Sequence, residues 1–428
     1  MEPYREETMS SIFKTSLAAL TAATLFSGAA LADGHALAGD LRIFSDMSNP
    51  APRAVMEGMV ERFGALHPDL NIELTVIDRE AYKTQIRNFL TANAPDVATW
   101  YAANRMRPYV EAGLFEDVSD LWAEEEIATG LASTRGALTI NGAQWGVPYT
   151  YYQWGVYYRE DIFAELGLSE PTTWAEELAN CQVIIDSDRA CYTIGTKYLW
   201  TAGGWFDYLN MRTNGFDFHM ALTQGEVEWT DARVRETFAN WRTLIDMGAF
   251  IEDHQTYSWQ EALPAMVNGD AVAYLMGNFA VAPLRDAGLT DDQLDFYQFV
   301  SINPDVELSE DAPTDTFHIP SNAQNKDAAR AFLRFVVSAE NQTIINGGDA
   351  LGQLPVNSAS SIDDDEFLAQ GFEMLSSNSP GGVAQFFDRD APAEMAGVAM
   401  EGFQEFMVFP DSLDEILERL EDTRQRSY

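Results

Sequence analysis

The sequence predicts an α/β protein with a parallel sheet covered by helices. Three observations predict it. Residues 40–113 read strand, helix, strand, helix, strand, helix, an order that implies parallel strands with helices on both faces. The chain has 428 residues, enough for more than one domain. Apolar residues make up 46% and charged residues 22%, the balance of a globular chain with sizeable cores.

The first strand is "DLRIFSD". The helix "NPAPRAVMEGMVERFGALHP" follows, with Val55, Met56, Met59, Val60, Phe63 and Leu66 on one face. "LNIELTVI" alternates Leu70, Ile72, Leu74 and Val76 with polar residues, the period of a strand. "EAYKTQIRNFLTANA" is helical, "DVATW" a short strand and "NRMRPYVEAGL" a helix stopping at Gly113. Ligands of such sheets sit beyond the carboxyl ends of the strands. Here those ends are residues 45–49, 78–80 and 99–104.

The middle and end of the chain are mainly helical. "TTWAEEL" carries a capping box, Thr173 with Glu176, and "SWQEALPAMVNGD" another, Ser258 with Glu261. "DARVRETFANWRTLIDMGAF" is amphipathic through Phe238, Trp241, Leu244 and Ile245. "AVAYLMG" is a strand. "NKDAARAFLRFVVSAENQTIIN" reads as two linked helices, and "APAEMAGVAMEGFQEFM" and "SLDEILERL" are helical. There is no repeat and no low-complexity linker.

Residues 1–32 read as a secretory signal. Lys14 precedes an Ala- and Leu-rich run that ends in Ala30-Leu31-Ala32, with cleavage expected after Ala32. Met9 is an alternative start. The run is too short to serve as a membrane anchor, and no later stretch could span a bilayer. Removing residues 1–32 moves the net charge from −41 to −40. So acidic a surface repels nucleic acid and anionic membranes. The two cysteines, Cys181 and Cys191, stand ten apart in an exported chain, a spacing that predicts a local disulfide. A metal pair would need a nearby His or a second Cys pair, and none is present.

No phosphate-cradling Gly loop and no G-x-S-x-G occurs. His35, His67, His219, His254 and His318 have no metal-ligand spacing, and no metal site or cofactor is expected. "SIDDDEF" reads as a solvated run lacking the glycine of a calcium loop. Aromatic residues, in contrast, are concentrated beside small and polar ones. They stand in "TWY" (99–101), "TYYQWGVYY" (150–158), "YLWTAGGWFDYLN" (198–210), "MGNF" (276–279) and "DTFH" (315–318). Rings with polar tips stack on the C–H face of a sugar and hydrogen-bond its hydroxyls. Trp200 is expected in such a site, with Gly203 and Gly204 leaving backbone accessible and Trp205 nearby. Tyr157 and Tyr158 are expected in a core.

The chain resembles the extracellular solute-binding proteins of bacterial ABC importers, in the carbohydrate-binding group with maltose- and trehalose-binding proteins. The resemblance covers the mature chain. It is carried by "MVERFGALHPDLNIELTVI", "APDVATWYAANRMRPYVEAGLFEDVSDLW", "WGVPYTYYQWGVYYREDIFAELGLSEPTTWAEEL", "ALPAMVNGDAVAYLMGNF" and "NKDAARAFLRFVVSAENQ". It implies a periplasmic-binding-protein-like fold with two doubly wound α/β lobes joined by a hinge. One lobe would take 33–149 and 318–358, the other 150–317 and 359–428. "TYYQWGVYY" would then cross between the lobes, its first rings at the cleft wall and its later rings in a core.

By the same resemblance, Asp46 and Met47 match the ligand loop after the first strand, and Trp100, Tyr101 and Asn104 the loop after the third. Tyr151 and Gln153 match a Tyr/acid pair, with an amide in place of the acid. Trp200 matches a stacking aromatic. Phe279, beside Asn278, stands where relatives have a stacking Trp. Phe317 matches another ring. Arg389 matches an Arg that reaches the ligand, and Arg79 is a further candidate. The implied protein is a monomer in the periplasm of a Gram-negative-type cell. It would capture a mono- or oligosaccharide and pass it to the transmembrane subunits of an ABC permease. An acidic sugar or polyol, paired by Arg389 or Arg79, is the alternative. A secreted glycoside hydrolase would need two carboxylates flanking the scissile bond, and Asp46 alone stands among the cleft candidates.

Overall fold

Strand β1 (Gly39–Ser45) runs beside β2 (Leu70–Val76) in parallel register, Leu41 opposite Ile72 and Ile43 opposite Leu74. The computed structural model describes residues 37–347, 350–362 and 365–428. The expected signal segment lies outside the described residues, as do Asp363 and Asp364 of the 361–367 run. Strand β3 (Val97–Tyr101) pairs with β1 on its other edge, again parallel. Helix α1 (Pro50–Leu66) connects β1 to β2 and buries Met56, Met59 and Phe63, one face at helical spacing. Leu66, expected on that face, is the last helical residue and is 64% exposed. Helix α2 (Arg79–Ala92) connects β2 to β3. Asp78 caps it by accepting the N–H of Ala81. Helix α3 (Ala103–Glu111) follows β3.

The remaining strands are the hairpin β4 (Thr139–Ile140) and β5 (Ala143–Gln144), then β6 (Val147–Tyr151), β7 (Trp154–Arg159), β8 (Ala190–Tyr192), β9 (Ala271–Gly277), β10 (Leu294–Tyr297), β11 (Ser309–Asp311), β12 (Thr314–His318) and β13 (Gly382–Ala384). The first sheet has the order β2-β1-β3-β12-β6, the second β10-β7-β9-β8. Both are mixed rather than purely parallel. In the first, β12 is antiparallel to β3 and β6. In the second, β7 is antiparallel to β10 and β9, while β8 runs parallel to β9.

Two separate hydrophobic cores accompany the two sheets. One contains Leu41 to Tyr149 and Phe317 to Val356. The other contains Tyr152 to Val300 and Phe367 to Leu420. Strand β6 ends at Tyr151 and β7 begins at Trp154, so residues 152 and 153 alone connect the sheets at this point. Tyr151 packs on the first core and Tyr152 belongs to the second. The chain crosses back between β11 and β12, across Ala312 and Pro313.

The Thr173 capping box forms, with Glu176 bonding back to the Thr173 N–H. Ser258 and Glu261 also bond reciprocally, at 2.8 and 3.1 Å, but the helix starts only at Leu263. Pro264 has no N–H to continue the first turn back to residue 260. Cys181, in helix Trp174–Asp186, is disulfide-bonded to Cys191 of β8. Among the described residues no helix is long and apolar enough to cross a membrane.

Candidate functional site

A cleft lies where the carboxyl ends of β1, β2 and β3 meet the start of β12. Because β12 runs the opposite way, its first residues stand at the same edge. Asp315 is in register with Tyr101. Just past β1, Asp46 is 4% exposed and heavily bonded. Its Oδ1 accepts the Thr99 hydroxyl at 2.8 Å and its Oδ2 the Tyr101 hydroxyl at 3.1 Å. Arg79, at the head of α2, places Nε 3.7 Å from Asp46 Oδ2.

The opposite wall comes from the second core. Trp154 opens β7 and pairs with Gly277 at the end of β9, which leads into Phe279. Trp200 begins the helix Trp200–Asn214. Trp154, Trp200 and Phe279 pack mutually, with centroids 6.0 to 6.3 Å apart. The Tyr152 ring meets Phe279 edge-on at 5.1 Å. Gly204 permits this packing, since a Cβ there would fall 2.6 Å from the Trp154 ring. Gly203 and Gly204 were expected to leave backbone open. They lie instead inside the helix and are buried.

A turn at 386–390 closes the site. Phe386 holds φ at +131°, a costly conformation for a residue with a Cβ. Three hydrogen bonds fix it. Asp390 Oδ2 accepts the N–H groups of Gln385 and Phe386 at 2.9 and 3.2 Å, and Asp207 Oδ2 accepts that of Phe387 at 2.7 Å. The turn presents Arg389, 4% exposed, to the first sheet. Arg389 donates to Asp315 Oδ1 at 2.9 Å, to the Thr314 carbonyl at 2.9 Å and to the Tyr152 hydroxyl at 3.1 Å. Asn104 donates to the Asp390 carbonyl at 2.7 Å, and Arg105 forms an ion pair with Asp388. Helix α3 of the first core is thereby clasped to the turn of the second.

The cleft has two adjoining compartments. The outer one encloses about 350 Å³, with Met47, Arg79 and Asp315 in its lining. The inner one is about 40 Å³, bounded by Lys83, Tyr101, Arg105, Trp200 and Arg389 among others. Arg79, Trp259 and Phe279 line both. Four cations face the inner end, and each has a carboxylate partner: Arg79 with Asp46, Lys83 with Glu80, Arg105 with Asp388, and Arg389 with Asp315. Burial pushes the Lys83 ammonium down to about 8, although Glu80 lies 2.8 Å away. Burial also raises the carboxyl of Asp315 above its ordinary range, against the pull of Arg389 and Arg79. Among the described residues no cluster of His, Cys, Asp and Glu could hold a metal ion.

Of the expected site residues, Asp46, Met47, Arg79, Tyr101, Trp200, Phe279 and Arg389 gather at or directly behind this cleft, and Asn104 joins the clasp. Others do not reach it. Trp205 is fully buried between Tyr192 and Phe250, inside a helix that is buried all round. Phe317 is fully buried against Tyr149 and Phe332, two residues further along β12 than Asp315. Trp100 packs on Tyr109 and donates to the Arg105 carbonyl. Tyr151 exchanges backbone hydrogen bonds with Leu354. Gln153 is buried and donates to the Phe367 carbonyl at 3.4 Å. Asn278 donates to the Gly352 carbonyl at 2.8 Å. Sequence reasoning missed Lys83, Arg105, Trp259, Asp315, Phe386 and Asp388, and it expected Tyr152 at the cleft wall only as one of the first rings of 150–158. Tyr152, Trp154 and Asp315 did stand inside the aromatic stretches it singled out.

The family model of bacterial extracellular solute-binding proteins matches residues 48–343, more than half of the chain. An uncharacterized ABC transporter extracellular-binding protein of Pyrococcus horikoshii is 24% identical over 390 residues, 89% of this chain and 87% of that one. The mannitol-binding protein of Pseudomonas aeruginosa is 22% identical over 340 residues, 73% of each chain. Among solved structures, the bacterial solute receptor AcbH, with an exclusive preference for β-D-galactopyranose, superposes with a TM-score of 0.83. The two are 24% identical, over 91% of this chain and 99% of AcbH. A chitin oligosaccharide binding protein gives a TM-score of 0.82 at 17% identity, over 91% of this chain and 99% of that one. The chain belongs to the bacterial extracellular solute-binding proteins of ABC transporters.

Proposed function

We propose that this solute-binding protein captures a sugar, a mono- or oligosaccharide, between two hinged lobes and delivers it to ABC permease subunits. The lobes are residues 37–151 with 314–358, and 152–311 with 365–428; the bounds move from the expected 149/150 and 317/318 because β6 and β12 both pair within the first sheet. The protein works as a monomer in the periplasm of a Gram-negative-type cell, after loss of residues 1–32. It is a binding protein, not an enzyme. The cleft carboxylates Asp46 and Asp315 are each engaged by an arginine.

One observation carries the sugar reading. A wall of rings, Trp200, Phe279 and Trp259, shares the cleft with side chains able to donate to and accept from hydroxyls, the half-buried Arg79 and the buried Asp315 and Arg389, with Asp46 behind Arg79. That is the combination a pyranose needs, a flat C–H face on an aromatic and hydroxyls on charged partners. The sugar and oligosaccharide preferences of the structural relatives support it. A ligand that touches both walls shifts the open/closed equilibrium through the contacts it gains only when the lobes meet. A polyol is the second reading, supported by the mannitol-binding relative. Because the four inner cations are each paired, a neutral ligand fits better than an acid.

The test is a thermal-shift screen of neutral sugars, polyols and sugar acids on the mature protein. A clear rise in melting temperature with a neutral sugar is expected. A rise only with polyols, or only with acids, would replace the reading.

A further inference from the structure

The two compartments differ in chemistry as well as in size. The charged pairs stand at the inner end and at the junction. The rest of the outer cleft is walled largely by Pro50, Ala51 and Pro52 from the start of α1, and by Leu263, Ala282 and Pro283 from the second core. None of these side chains hydrogen-bonds, and the three prolines lack even an N–H. Gln260 and Asp286 are exposed, where water satisfies them, which leaves the amides of Asn49 and Gln353, the Tyr149 hydroxyl and the Trp259 indole N–H as the other polar groups of the lining.

A volume of about 350 Å³ is within the range of roughly 300–1,000 Å³ that takes drug-sized ligands, more than one pyranose ring requires. A second sugar ring would bring hydroxyls around its whole edge. Each one buried without a partner costs about 1–3 kcal/mol. Two amides, one phenol hydroxyl and one indole N–H cannot pair them all. A C–H-rich group has no such demand, and apolar walls favour it.

Resting on the sugar reading, we infer that the ligand is a glycoside. Its sugar ring sits at the junction among Arg79, Asp315, Trp259 and Phe279, and its non-sugar substituent lies along the outer cleft between Pro50–Pro52 and Ala282–Pro283.

Titration calorimetry with matched pairs tests this. The probes are glucose, galactose, mannose and xylose, the α- and β-4-nitrophenyl glycosides of each, and the disaccharides maltose and xylobiose. For the preferred sugar, the nitrophenyl glycoside is expected to bind at least tenfold tighter than the parent sugar. Ala282→Asp, at a half-buried position, should cut that ratio to below threefold. Ala51→Asp on the facing wall should do the same, which guards against one variant misfolding. Equal affinity within every pair, or a disaccharide tighter than any nitrophenyl glycoside, overturns the inference and leaves the sugar reading standing. Failure of every sugar and every glycoside to bind overturns the sugar reading itself.

Discussion

Arg389 donates to Asp315 at 2.9 Å, joining the turn of one core to the central antiparallel strand of the other sheet. Both side chains are 5% exposed. Truncating one partner of a buried pair strands the other charge, typically at a cost of about 3–5 kcal/mol. Arg389→Ala should therefore lower the melting temperature markedly, since Asp315 keeps no other cation as close. Asp315→Asn should cost less, because Arg389 retains the Thr314 carbonyl and the Tyr152 hydroxyl. A double-mutant cycle read by denaturant unfolding should give a coupling of at least 1 kcal/mol. Strict additivity would mean that the two charges do not support each other.

Salt dependence bears on the ligand's charge. The cations of the inner compartment are each paired within the protein, so a neutral ligand should bind with nearly the same affinity at 50 and 500 mM salt. An anionic ligand should weaken as ionic strength rises. Calorimetry at the two salt concentrations checks it, and a steep fall would move the reading to an acidic sugar.

Lys83 gives the site a pH limit. Burial holds its ammonium at about 8, and it lies 6.0 Å from the Trp200 ring centroid. If it donates to the ligand, affinity is full below pH 8 and falls as pH rises through that value. Lys83→Arg should keep the charge and remove the fall. Affinity that stays flat from pH 7 to 9 in the wild type would exclude Lys83 from the contact.

Glu177 governs stability rather than binding. It is 2% exposed and accepts the Tyr297 hydroxyl at 3.0 Å, and the Tyr192 hydroxyl also donates to it. Burial pushes its carboxyl up to about 8 from the ordinary 4.5. The folded state thus holds a proton that the unfolded chain has lost between pH 4.5 and 8. The stability this contributes is complete below pH 4.5 and declines as pH rises through 8. Melting curves should show a loss between about pH 4.5 and 8 that Glu177→Gln reduces. Equal pH slopes in the two proteins would contradict it.

Much of the first sheet was legible because its strands and helices keep strict periods: Leu70, Ile72, Leu74 and Val76 alternate, and Met56, Met59 and Phe63 recur at helical spacing. The place of β12 was not, because it pairs with β3 across more than two hundred residues and carries no turn signal linking the two. The helix Trp200–Asn214 was hidden for a different reason. Residues Thr201–Thr213 are buried all round, so it has no polar face and no period, and its two glycines read as a loop. In the site, Asp46, Trp200, Phe279 and Arg389 came from the family resemblance together with local composition. Arg105 and Asp388 carry no local pattern that sets them apart from the other charges of a very acidic chain. Their meeting depends on how α3 and the 386–390 turn are placed, which no local pattern encodes.

The rings divide into those that face the cleft and those that fill a core, and this division can be measured. Trp200 and Phe279 are half-buried and line the inner compartment. Tyr157 is fully buried, its ring 5.3 Å from that of Phe296, and Tyr158 is 4% exposed with its hydroxyl on Glu170 at 2.9 Å. Removing a cleft ring takes away contacts that a bound ligand makes, and the neighbouring rings can close part of the gap in the free protein. Removing a core ring leaves a cavity that the free protein must carry, at about 3–5 kcal/mol for a large aromatic. Phe279→Ala, at the junction, should therefore weaken binding at least tenfold, about 1.4 kcal/mol, and Trp200→Ala, whose ring supports Phe279 from 6.1 Å, should weaken it less, each with a small change in unliganded melting temperature. Tyr157→Ala should lower the melting temperature strongly and change affinity less. Calorimetry and melting curves on the three variants decide the matter. Wild-type affinity in Phe279→Ala would mean that the ligand does not rest on this wall of rings.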